Sequence, residues 1–289
     1  MKKIFVLLIC ICLVFMLVSC GVKITPNEPY DMNGGVVMGD YKEINFTIAS
    51  YNIKGGEATT HSVTKIKDNL EAKSVDIAGL QEVDHLSDRT GKKDFLSIFK
   101  NNSSLKNISY FPIELQGFGD SYGIATISKN KIERTHSFKL PYPYEYEKPR
   151  VEKRIITRSL ITIDGVQIAF YNTHFSYEEV KMSNGISLRG AQFKYLLELL
   201  NSDPSPYKIV TGDFNVLSFN EFKQLREKGY NTVNNEQNTL NTYRGSDSSF
   251  RAIDNIIYSD RLEVLSCSMT EDECSDHNML YAQFKTKYD

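Results

Sequence analysis

The chain has 289 residues, 41% hydrophobic and 24% charged, and its 34 Lys and Arg nearly balance 36 Asp and Glu, for a formal net charge of −2. That is globular composition with ample material for a core, and its length allows one large or two ordinary domains. The basic excess of a nucleic-acid binder is missing, so steering of a polyanion by bulk charge is not supported, whereas a local basic cleft stays open.

The first twenty residues do not read as part of a fold. "MKK" is a basic start, "IFVLLICICLVFML" an apolar run, and "LVSC" (Leu17 to Cys20) follows. The run is short for a spanning helix of about 20 residues, and its flanks are those of a signal peptide. "LVSC" resembles a bacterial lipobox, which implies cleavage before Cys20 and lipidation of that cysteine. An uncleaved anchor or an ordinary secretory signal is the competing reading. The expectation is a signal peptide over 1–19 and a membrane-anchored lipoprotein, at the cell surface or the periplasmic face. Residues 20–43 are rich in Gly, Pro and Asn without apolar periodicity, and read as lipid anchor plus flexible tether. Beyond Cys20 only Cys267 and Cys274 remain. A disulfide between them and a pair of free thiols both stay open.

From Ile44 strand-like runs alternate with fewer helical ones. "INFTIASYNI" reads as a strand and "TTHSVTKIKDNLEAK" as a helix opened by Thr caps. "SVDIAGL" and "YGIATISK" are strands. "RIITRSLITID" and "IAFYNTHF" form a hairpin through "DGVQ". "SLRGAQFKYLLELLN" is an amphipathic helix with apolar residues at 193, 196, 197 and 200. "YKIVTGDF", a helix near 219–228, "AIDNIIYS" and "MLYAQFKT" complete the series. No linker interrupts residues 44–289, which read as one domain. Hairpins argue against a purely parallel sheet, and two packed mixed sheets with helices outside would bury this much Val, Ile and Phe.

Polar residues recur where these apolar runs begin, end or break: Asn52, Glu82, Asn172, His174, Asp213, Asn215, Asp254, Asp276 and His277. Singly, each has a dull explanation as a turn or cap residue. Together they share one theme, a hard cation and a phosphate. Asn52, Glu82 and Asp276 are oxygen donors suited to Mg²⁺, and the soft or His-rich set of zinc or copper is missing. His174 and His277 can donate to phosphoryl oxygens or move protons near neutrality. Asp254 can fix the tautomer of His277. Asp213 and Asn215, two apart and facing one side of a strand, can orient a water and hold a phosphoryl oxygen. Arg154 is a candidate phosphate clamp. His61, His85 and His136 read as surface or packing residues, with His85 the least secure.

"SYNI", "LQEVD", "NTHF", "GDFN", "IDNIIY" and "SDHNML" resemble, in order, the motifs of the endonuclease/exonuclease/phosphatase superfamily. The resemblance runs from about Ile44 to the C-terminus. It implies a four-layered α/β sandwich, two mixed β-sheets packed face to face with helices outside, and a site at one edge of the sheets. It implies a metal-dependent phosphoesterase using Mg²⁺, with Mn²⁺ as the alternative. By carry-over, Asn52 and Glu82 would bind the metal, and Asp276 would support the metal or the neighbouring histidine. Asp213 would activate or orient water, and Asn215 would hold phosphate. His277 with Asp254 would act as base or donor, and His174 would contact phosphate or assist the leaving group. The family's arginine best matches Arg154, with Arg158 as its rival. The general base is left open.

The substrate class is less determined, because one fold serves many phosphoesters. A phosphodiester is the leading expectation and a phosphomonoester the other. Nucleic acid is a partner not favoured, since backbone binding leans on Lys and Arg. The tyrosines of "KLPYPYEYEKPR" could stack on a base, sugar or headgroup, or this could be a surface loop stiffened by proline. An extracellular nuclease of the same fold and a non-catalytic surface binding protein are the alternatives. A monomer is expected.

Overall fold

The fold is described from a computed structural model, over residues 31–36, 42–56, 62–113, 122–143, 151–245, 249–271 and 273–287. The signal peptide, Cys20, His61 and most of the Pro-Tyr segment fall outside these. Twelve strands occur among the described residues: β1 (Asn45–Asn52), β2 (Ile77–Asp84), β3 (Asn107–Pro112), β4 (Tyr122–Ser128), β5 (Ile132–Lys139), β6 (Ile155–Ile163), β7 (Val166–His174), β8 (Lys208–Asp213), β9 (Tyr230–Thr232), β10 (Asp254–Ser259), β11 (Leu262–Met269) and β12 (Leu280–Thr286). Four α-helices join them: α1 (Ser62–Ala72), α2 (Phe95–Asn102), α3 (Leu188–Ser202) and the single turn α4 (Lys223–Arg226). Side chains set two of the helix starts: Asp94 accepts from Ser97 N and Ser187 from Gly190 N, each at 3.0 Å.

The strands form two mixed six-stranded sheets, in the orders β11-β12-β1-β2-β4-β3 and β5-β6-β7-β8-β10-β9. In each sheet only the central pair is parallel, β1 with β2 and β7 with β8. Parallel neighbours need a crossover, and α1 and α3 supply it. The expected hairpin is present, with Ile163 opposite Val166 and positive φ at Asp164 and Gly165.

Alternation along the central strands builds the layers. Ile48, Ile77, Phe170, Ile209, Ile256 and Phe284 meet between the sheets. Their neighbours Ala49, Ala78 and Leu80 face α1 and α2 through Ile66, Leu70 and Phe99. On the other side Ala169, Tyr171 and Val210 join Phe193, Leu196 and Leu200 of α3. Helix, sheet, sheet and helix thus make the four-layered sandwich.

The row between the sheets changes character toward the carboxyl ends of the central strands. Ile48, Ile77 and Ile209 give way to Ser50, Gly79 and Thr211, then to Asn52, Gln81 and Asp213. Asn172 lies in the middle tier, fully buried. It donates to Leu80 O and Ala125 O at 3.0 Å and accepts from Gln81 Nε2 at 2.7 Å. It therefore clamps the sheets together. Gly79 permits this closeness, because a Cβ there would lie 2.0 Å from Thr211 Oγ1 and 2.6 Å from Asn172 Oδ1. Gly79→Ala is expected to cost about 1–3 kcal/mol by overpacking. A urea midpoint equal to that of the parent protein would refute the clamp.

Residues 31–36, read as flexible tether, form a turn against the second sheet. Met32 and Val36 pack on its outer core, Met32 O accepts from Arg158 Nη2 at 3.4 Å, and Gly35 O accepts from Gln167 Nε2 at 2.9 Å. No disulfide joins Cys267 to Cys274.

Candidate active site

The carboxyl ends of β1, β2, β7 and β8 converge on one edge of the sandwich, around a cavity of about 450 Å³. Strand ends in open α/β sheets present side chains and loops to such a crevice. Two backbone irregularities aim residues into it. By alternation Glu82 would point away from the gap between the sheets. A register shift between Leu80 and Val83, with Glu82 at φ 53°, turns its carboxylate inward. Asn215 also sits at positive φ, 49°. β8 ends at Asp213, so strand alternation does not bring Asp213 and Asn215 together. The turn does, closed by Asn215 N donating to Asp213 Oδ1 at 3.0 Å.

Asp213 is the hub. Its Oδ2 accepts from Asn52 Nδ2 at 3.0 Å and lies 3.5 Å from His174 Nε2 and 3.7 Å from His277 Nε2. Burial and the nearby Asp254 carboxylate push its carboxyl up to about 7, against the pull of His277. His277 Nδ1 bonds Asp254 Oδ2 at 2.8 Å. Burial alone would lower this imidazole, but Asp254, Asp213 and Asp276 outweigh it and raise it to about 10. His277 is thus an imidazolium bracketed by carboxylates at neutral pH.

His174 is the opposite case. Burial, Arg154 and His277 hold it well below the ordinary histidine value, so it stays neutral. Arg154 Nη1 lies 2.8 Å from its Nδ1. A guanidinium only donates, so Nδ1 accepts and the ring proton sits on Nε2, facing Asp213. Arg154 Nη2 also holds Glu152 at 2.6 Å. Asn215 Nδ2 donates to Phe175 O at 3.0 Å and lies 3.2 Å from His174 Nε2; both are donors in this tautomer, so they stand side by side without a hydrogen bond between them. Two imidazole N–H groups therefore flank one carboxylate oxygen at the cavity wall.

Asn52 Nδ2 also donates to Glu82 Oε1 at 3.0 Å, while its Oδ1 accepts from Lys54 N at 3.1 Å. Asn52 thus braces Glu82 and Asp213 through its nitrogen. This differs from the expected ligand role, which needs the amide oxygen. Asp276 pairs with the Lys54 ammonium at 2.8 Å, both side chains partly exposed. Glu82 and Asp276 are hard oxygen donors on one cavity, and Asp276 already faces a cation, so the donor set fits Mg²⁺ or Mn²⁺. Asp213, Asp254 and His277 offer ligand atoms within 4.8 Å of one another. In that trio Asp254 is engaged by His277 Nδ1 and does not line the cavity, whereas Glu82 and Asp276 do.

Arg154, His174, Asp213, Asn215, Glu82, Asp276 and His277 all line the cavity. Asn52 and Asp254 stand behind them as hydrogen-bond partners. Arg158, the rival to Arg154, is fully buried elsewhere, with its Nε and Nη2 on Asp203 at 2.7 and 2.9 Å. His85 lies 3.6 Å from Asp94 and edge-on to Tyr110, and His136 packs on Phe138. Sequence reasoning missed Lys54, Arg89, Tyr122, Glu152, Tyr177, Glu179 and Tyr243. Arg89 is held by Asp84 through Nε at 2.5 Å and Nη2 at 2.9 Å. Tyr243 belongs to a strap laced onto the His277 segment by Asn278 N to Thr242 O and Arg244 N to Asp276 O, with its ring 5.0 Å from that of His277. The "EKR" preceding β6, with a carboxylate two residues before the chosen arginine, was the available signal for Glu152.

Residues 49–277 match the model of the Endonuclease/Exonuclease/phosphatase family. The chain belongs to that family, whose members hydrolyse phosphoesters. Among solved structures it is similar to an endonuclease/exonuclease/phosphatase from Beutenbergia cavernae (14% identity, TM-score 0.66, covering 84% of this chain and 72% of that one). It is also similar to D. rerio TDP2 complexed with a single-strand DNA product (16%, 0.63, 84% and 99%). A third is the mannosyl-6-phosphatase of Bacteroides thetaiotaomicron (18%, 0.59, 83% and 99%). No curated protein matches the sequence.

Proposed function

We propose that the chain is a divalent-metal-dependent phosphoesterase that hydrolyses its substrate by attack of water at this site. The observation that carries the reading is the Asp213 carboxylate set between two imidazole N–H groups inside the cavity. Asp213, with its proton affinity raised to about 7, takes a proton from the attacking water. His277, kept charged by Asp254, donates from Nε2 to a phosphoryl or leaving oxygen. His174 Nε2–H, the Asn215 amide and Arg154 surround the remaining phosphoryl oxygens. Glu82 and Asp276 would hold Mg²⁺ or Mn²⁺, and Asn52 sets the Glu82 rotamer. The metal would supply charge neutralisation for the phosphoryl group. A relative bound to a DNA product and another named for a sugar phosphatase support phosphoesters in general.

The test uses the purified chain with bis-p-nitrophenyl phosphate and p-nitrophenyl phosphate. Activity is expected with Mg²⁺ or Mn²⁺, to vanish with EDTA, and to return on adding metal. Glu82→Gln is expected to lower metal affinity about 10-fold or more, read by calorimetry as well as by turnover. Turnover that survives EDTA would overturn the metal assignment.

A further inference from the structure

We infer that this site takes a phosphate ester of a small, uncharged, hydroxyl-bearing alcohol, and that Glu152, Tyr177 and Glu179 form the wall that receives that alcohol. The inference rests on the phosphoesterase reading of the site. Once the groups assigned to reaction and metal are set aside, the charged residues lining the cavity are Arg89, Glu152 and Glu179. Arg89 is engaged by Asp84 through two nitrogens. Arg154 is engaged by His174 and Glu152. Phosphates beyond the reacting one would therefore meet carboxylates. Like charges placed together across an interface cost several kcal/mol, and polynucleotide binding needs Lys and Arg along its path.

The same wall suits hydroxyl groups. A carboxylate accepts and does not donate, so Glu152 and Glu179 complement O–H donors. Tyr177 lines the cavity yet is 54% exposed, which leaves ring surface for the face of a sugar or polyol. Glu152 and Arg154 come from the lead into β6, and Tyr177 and Glu179 from the loop after β7, so one end of the second sheet builds the whole wall.

The test compares kcat/KM of the full chain on four probes: a hexose 6-phosphate, the corresponding hexose bisphosphate, a dinucleotide and p-nitrophenyl phosphate. The monophosphate is expected to exceed the bisphosphate and the dinucleotide by at least about tenfold. Glu179→Lys is expected to raise the ratio of bisphosphate to monophosphate several-fold, with an unchanged melting temperature because Glu179 is exposed. If p-nitrophenyl phosphate is cleaved and the bisphosphate or dinucleotide matches the monophosphate, the inference falls while the phosphoesterase reading stands. A ratio unmoved by Glu179→Lys also overturns it. If no probe is cleaved with any divalent metal, the underlying reading fails and takes the inference with it.

Discussion

His277→Ala is expected to lower kcat by about a thousandfold, within the 10²–10⁴ range of a positioned general acid, with an unchanged circular dichroism spectrum. The variant removes a proton donor held in its charged form by Asp254 at 2.8 Å, and it removes one of the two N–H groups facing Asp213. Asp254→Asn is expected to cost nearly as much. It keeps the volume but takes away the charge that maintains the imidazolium, and it lets the ring adopt the wrong tautomer. His174→Ala is expected to hurt less, because Arg154 and Asn215 remain beside the phosphoryl position. The double variant His277→Ala/Asp254→Asn should be no worse than His277→Ala, since the two act as a unit. A loss below tenfold for His277→Ala would remove this residue from the reaction.

The second large effect concerns stability. Asp203→Ala is expected to destabilise the protein by about 3–5 kcal/mol, the cost of leaving a buried charge unpaired. Arg158 and Asp203 are both fully shielded at the side chain, and Tyr171 Oη donates to the same carboxylate at 2.5 Å. Burial opposes ionisation of Asp203, yet Arg158, Tyr171 and the Ser205 N–H hold it below the ordinary aspartate value of 3.8. A depressed folded value means that the unfolded chain binds the proton first on acidification. The stabilisation is therefore complete above about pH 4 and is lost as pH falls through the folded value. Comparing urea unfolding of the parent and Asp203→Asn from pH 7 to pH 3, the gap should narrow below pH 3.8. A gap constant over that whole interval would show that the pair does not carry this stability.

What the sequence disclosed follows the depth of each element. The eight central strands carry apolar runs because they are buried along most of their length, with β12 fully covered on its inward row alone, and all eight are legible. β11, β3, β5 and β9 escape, and these are the four edge strands. β5 alternates half-buried with exposed residues, and β11 is mostly uncovered, so neither needs an apolar run. α2 is short, and of its apolar residues only Phe95 and Phe99 are fully buried, with Leu96 and Ile98 half-buried against the same core. The strand-end residues were legible because hard-oxygen and imidazole donors recur where buried runs stop. Arg154 and Arg158 were not separable by alternation, both being even-numbered. β6 begins at Ile155, so Arg154 lies before the strand and is free to turn into the cavity, whereas Arg158 obeys the pleat. Arg89, Glu152, Tyr177 and Glu179 reach the cavity from outside the strands, where no periodicity announces direction.

The two parallel pairs divide the labour. The first sheet brings the carboxylates suited to a cation and, on the lead into β12, His277; the second brings Asp213, His174, Asn215 and Arg154. The seam between them is closed by Asn52 to Asp213 and by His277 to Asp254. Neither half holds a workable constellation alone. Turnover is therefore a direct reporter of sheet docking: a slip of one tier along the seam would silence the enzyme while leaving both halves folded.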